Sequence, residues 1–96
     1  MERLRSAIDS LAAVILRGAG AEEKVLLSWP LVAGSRVAER SRATRFADGV
    51  LHVEVPDRAW QAELVGYMPH YIRQISGATG EKVERIRFHL PSEGLP

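Results

Sequence analysis

Apolar residues recur along this chain with two periods, helical at first and then alternating. Leu4, Ile8, Leu11 and Ile15 fall at i, i+4, i+7 and i+11, which predicts an amphipathic first helix ended by Gly18 and Gly20. A second helical stripe begins near Ala21 and carries Val25, Trp29, Val32, Ala33 and Val37, with Pro30 inside it. An interior proline costs about 3 kcal/mol unless a new helix starts there. The pattern therefore predicts either a kink or two abutting helices, the second capped by Ser28 with Pro30 in its first turn.

From Ala43 the period is two. Thr44 and Phe46 alternate with Arg45, Asp48-Gly49 predicts a hairpin, and Leu51, Val53 and Val55 alternate with His52 and Glu54. Pro56 stops this second strand and Asp57 is placed to cap the next helix. That helix carries Trp60, Leu64, Tyr67, Met68, Tyr71 and Ile75 on one side, with a kink expected at Pro69. Ile86, Phe88 and Leu90 alternate with Arg85, Arg87 and His89 in a third strand. The order α-α-β-β-α-β predicts an α+β fold, with the helices packed on one face of a small three-stranded sheet. Residues 1–90 read as one domain and residues 91–96 as a short C-terminal tail.

Composition narrows the function more by exclusion than by suggestion. The chain has no cysteine, which leaves out a disulfide scaffold and thiolate metal sites and fits a reducing cytoplasm. No apolar run reaches the ~18 residues of a membrane span. Asp9 and Ser10 interrupt the N-terminal apolar stretch, which reads as a helix and not as a signal peptide. Net charge is only +1, from 13 basic and 12 acidic residues, so a strongly polybasic nucleic-acid binder is not expected. The distribution is uneven, however. Between Arg36 and Arg45 stand Arg36, Arg40, Arg42 and Arg45 against one acid, Glu39.

Most short motifs point to structure. GAGAEE at 18–23 resembles the start of a dinucleotide fingerprint, but Glu23 stands where the third glycine belongs and no strand precedes it. Ser35 follows Gly34 without the second glycine of a nucleophile elbow. His52 and His89 occupy outward strand positions and can approach each other, yet no cysteine or carboxylate cluster completes a metal site, and His70 has no partner. Glu22 and Glu23 suit a helix N-terminus, while Glu81 and Glu84 read as surface charge. Trp29 and Trp60 lie on apolar stripes and are expected in the core. No cofactor and no catalytic constellation is expected.

Residues 77–80 read GATG, the Gly-x-x-Gly form with which KH domains clamp a nucleic-acid backbone. In KH domains the clamp lies between two helices. Here it joins a helix to a strand, with Gly77 where a left-handed cap is wanted and Gly80 where the chain enters the strand, so a turn is expected. The arginines remain. If the apolar strand residues face the helices, the other sheet face shows Arg45, His52, Arg85, Arg87 and His89 with Glu54 as its one acid, and Arg36, Arg40 and Arg42 stand near one edge. Such a face is either a solvated surface or a groove that contacts nucleic-acid phosphates.

The run WPLVAGSRVAERSRATRF (Trp29 to Phe46), then GVLHVEV, then W-x-x-EL at Trp60, Glu63 and Leu64, then VERIRF (Val83 to Phe88), resembles the bacterial DciA family across residues 21–90. The resemblance implies a KH-like domain without catalytic activity that binds the replicative DNA helicase and helps load it on single-stranded DNA. Members usually carry a disordered basic segment beside this domain, of which this chain has almost none, so DNA binding by the folded part is expected to be modest. Arg36, Arg40, Arg42, Arg45, Arg85 and Arg87 are the candidate phosphate contacts. The alternatives are a KH-like RNA-binding module, or a protein-binding adaptor whose arginines are only solvated.

Overall fold

A computed structural model describes residues 18–91; the predicted first helix with Leu4, Ile8, Leu11 and Ile15, and residues 92–96 of the tail, lie outside the described residues. Helix α1 spans Ala21–Ala33, with Glu22 and Glu23 in its first turn, where negative charge complements the helix dipole. It runs through Pro30. Ser28 is not a cap: its Oγ donates to the Val25 carbonyl at 2.7 Å, inside the helix. The break comes four residues after the proline, at Gly34, whose φ of 86° and ψ of 162° lie in a region open essentially to glycine alone. A four-residue helix, α2 (Ser35–Ala38), follows.

Strand β1 (Arg42–Ala47) and strand β2 (Val50–Glu54) form the predicted hairpin. Asp48 (φ 53°) and Gly49 (φ 78°) supply the two positive φ values of a turn that matches strand twist. The predicted single helix after β2 is two: α3 (Arg58–Val65) and α4 (Met68–Thr79). The chain breaks at Gly66 and Tyr67, and Pro69 sits in the first turn of α4, where its missing N–H leaves no helix bond unmade. Gly77 is helical, and the left-handed cap is Gly80 at φ 75°. The tetrapeptide GATG is thus the last turn of α4 and its cap. Strand β3 (Arg85–His89) completes the sheet.

The sheet order is β1-β2-β3, with β1 antiparallel and β3 parallel to the central strand. Parallel pairing of β2 and β3 needs a crossover, and α3 with α4 provides it. The fold is α+β with its helices on one face of a three-stranded mixed sheet. Among the described residues the order is α-α-β-β-α-α-β, because each of the two predicted helical stripes is cut once, at Gly34 and at Gly66–Tyr67.

Leu51 and Val53 of β2, Ile86 and Phe88 of β3, and Val25, Trp29, Leu64, Tyr71 and Ile75 of the helices are buried together. Trp29 is 1% exposed, meets Tyr71 edge-on at 5.1 Å between ring centres, and donates from Nε1 to the Ser41 Oγ at 2.9 Å. Ser41 in turn donates to the Val37 carbonyl at 2.8 Å, so the one polar group of the indole is satisfied inside the core. Trp60 differs from expectation: it is only partly buried, at the edge of the core. No helix among the described residues is long and apolar enough to cross a membrane.

Asp57 caps α3 as expected, its carboxylate accepting from the Trp60 N–H at 2.9 Å. Asp57→Ala is expected to destabilise the domain by about 1 kcal/mol, read as a lowered urea midpoint with an unchanged slope.

Candidate nucleic-acid interface

Cross-strand pairing arranges the open face of the sheet in three rows. Arg42 pairs with Glu54 and Glu54 with His89; Arg45 pairs with His52 and His52 with Arg87; Ala47 pairs with Val50 and Val50 with Arg85. The apolar partners Ala43, Phe46, Leu51, Val53, Ile86 and Phe88 occupy the opposite, helix-covered face.

Arg42 and Arg45 are three residues apart, and in a regular strand they would point to opposite faces. A bulge between Ala43 and Arg45 inserts Thr44 and brings both arginines to the open side. The Thr44 hydroxyl donates to the His52 carbonyl at 3.3 Å, which ties the extra residue to the central strand. Simple alternation marks no bulge, so the sequence placed Arg45 on this face and Arg42 only near its edge.

Four of the six candidate arginines, Arg42, Arg45, Arg85 and Arg87, are therefore neighbours on one exposed surface. Glu54 is the one acid in the three rows, and its Oε1 is 3.9 Å from Arg42 Nη2. Among the described residues Arg45, Arg85 and Arg87 have no ion-pair partner. Arg40 is exposed beside the face, where it lines an open cleft with Arg42, Glu54, Pro56 and Pro91.

Arg36 is placed elsewhere. It stands on α2 just after the Gly34 break, and its Nη2 donates to Glu63 Oε1 of α3 at 3.0 Å. Its guanidinium lies 5.0 Å from the centre of the Trp60 ring, a cation–π contact on the helical side of the molecule. Tyr67, 55% exposed, lines the same cleft between the helices as Arg36 and Glu63.

His52 and His89 do meet. Their rings stack at 5.1 Å and 19°, and Nδ1 of His52 lies 2.8 Å from Nε2 of His89. Burial is the main cause holding the His52 imidazole below the ordinary histidine value, followed by His89, Arg87 and Arg45 nearby. Among the described residues no group of three or more histidines and carboxylates is arranged to hold a metal ion. The rows carry no Phe, Tyr or Trp, so the face presents cations and imidazoles without a platform on which bases could stack.

Fold and surface together define a small α+β domain with a basic open sheet face. The chain belongs to the DciA family: the family model described as "Dna[CI] antecedent, DciA" matches residues 3–88. It is 37% identical over 65 residues to UPF0232 proteins of Mycobacterium tuberculosis and Mycobacterium bovis. The matched stretch covers 68% of this chain and 35% of each relative, so the chain spans about a third of the length of the curated relatives it matches.

Proposed function

We propose that this KH-like domain is a non-catalytic adaptor that binds the bacterial replicative DNA helicase and assists its loading on single-stranded DNA at replication initiation. Family membership supports a role in replication. The observation that carries the DNA part of the reading is the cluster Arg42, Arg45, Arg85 and Arg87 on one open face with a single acid. Guanidinium groups without neighbouring aromatics contact phosphates and fix position without reading sequence. Arg40 extends the contact past the β1 edge, and Arg36, engaged by Glu63 and Trp60, is its most remote member. In this reading the domain works in the cytoplasm beside the helicase and uses no cofactor.

The test is a titration of the domain into labelled DNA and RNA single strands of the same sequence at several salt concentrations. Four phosphate contacts on a single strand give a slope of log affinity against log salt of about −3. The expected result is that slope with DNA and RNA bound alike, since the contacts are to phosphate. A clear preference for RNA would assign the face to 2′-hydroxyl recognition and an RNA-binding module. No binding to either strand would leave a protein-binding adaptor with solvated arginines.

A further inference from the structure

The stacked pair His52–His89 stands among the arginine rows with a bond of its own and room for a proton. One nitrogen of the 2.8 Å contact between His52 Nδ1 and His89 Nε2 donates and the other accepts. With one proton added, an imidazolium donates to a neutral ring and the contact survives. With two added, both nitrogens are donors and the contact is lost. The contact therefore survives the addition of one proton and not of two.

The charged groups facing this pair come from all three strands. They are Arg42 and Arg45 on β1, Glu54 on β2, and Arg85 and Arg87 on β3. The helices cover the opposite face. Burial first, then His89, Arg87 and Arg45 nearby, disfavour an added proton on His52. An anion on the face reverses that balance. A phosphate oxygen near Arg45 and Arg87 offsets their repulsion of an imidazolium and accepts a charge-assisted hydrogen bond from His52 Nε2, the ring nitrogen not engaged with His89.

We propose that the middle row, Arg45–His52–Arg87, is a phosphodiester site whose occupation is linked to uptake of one proton by the His52–His89 pair. The proposal rests on the reading of this face as a nucleic-acid interface and adds the regulation of that site. The sign follows from linkage. The bound state holds more protons than the free state, so affinity for the strand rises as pH falls, by at most about tenfold per pH unit for one proton.

The experiment measures affinity for labelled oligothymidine at constant ionic strength across about pH 6 to 8, where carboxylates stay ionised. Wild type is compared with the double variant His52→Gln/His89→Gln, in which His70 remains as an internal control. Wild type is expected to bind about threefold to tenfold more tightly at the acid end. The double variant is expected to lose this dependence, its affinity varying little between the alkaline and the acid end. Coincident pH profiles would overturn the proton linkage.

A second measurement on wild type does not depend on how the variant folds. Ring resonances of His52 and His89 followed by NMR are expected to titrate at higher pH in the presence of oligothymidine than in its absence, and an unchanged titration overturns the linkage. The variant Arg45→Glu/Arg87→Glu separates the two ideas. If it binds like wild type at the alkaline end, the reading of the face fails. If it loses binding while the histidine profiles coincide, the reading stands and the proton linkage alone falls.

Discussion

Reversing the charge of two residues, Arg45→Glu and Arg87→Glu, is expected to weaken single-stranded DNA binding by at least about tenfold and to flatten its salt dependence from about −3 to about −1.4. The two residues flank His52 in the middle row and have no acidic partner among the described residues. Their loss therefore breaks no ion pair that holds the fold. Both side chains are exposed, and exposed substitutions of this kind usually change stability by less than about 0.5 kcal/mol. A drop in binding with an unchanged unfolding midpoint is thus the specific outcome. The matched control is Arg36→Glu, which removes a cation from the helical side and leaves the sheet rows intact. Its effect on the salt slope is expected to be small. Equal effects of the two changes, or none from the middle row, would remove the sheet face as the DNA-binding surface.

The largest effect on stability is expected at Trp29. Truncation to alanine removes a side chain that is 1% exposed and packs on Tyr71 and Phe88, so the loss is about 3–5 kcal/mol. It also removes the indole N–H that Ser41 accepts. A domain of this size is stable by only about 5–15 kcal/mol, which makes the change large enough to leave a fraction of molecules unfolded. Trp60→Ala is expected to cost clearly less, because Trp60 is partly exposed and its cation–π contact with Arg36 is worth about 0.5–1 kcal/mol at a surface. Urea unfolding of the two variants side by side checks the ordering. Similar losses for both would contradict the assignment of Trp29 to the interior and Trp60 to its edge.

The strands were legible in the sequence because their apolar residues alternate without exception, from Leu51 to Val55 and from Ile86 to Leu90. The DG turn fixed their first pairing for the same reason: few dipeptides tolerate two successive positive φ values. The helices were legible as stripes but not as separate elements. Pro30 and Pro69 carry the same local message, yet one lies inside a continuous helix and the other opens a new one. Glycine made the difference at Gly34, which adopts a backbone conformation other residues avoid, whereas Gly66 keeps helical dihedrals and the chain leaves the helix at Tyr67, with φ −101° and ψ 5°.

The candidate site was legible in part. Arg45, Arg85, Arg87, His52 and His89 follow from strand alternation alone, and they lie together on the open face. Arg42 joins them through a bulge that no residue type announces, because Thr44 is an ordinary strand residue. Arg36 is separated from its sequence neighbours for the opposite reason: α2 is short, and Glu63 with Trp60 offers a partner on α3 that only the tertiary fold brings near. Long-range partners of this kind leave no periodic trace along the chain.

The central claim is that this domain binds the replicative helicase, and its most direct test is size-exclusion chromatography of the purified domain with the helicase of the same organism in the absence of nucleic acid. Co-elution at micromolar concentrations is the predicted result, unaffected by Arg45→Glu/Arg87→Glu because the open sheet face is assigned to DNA. Separate elution of the two proteins would contradict the adaptor role.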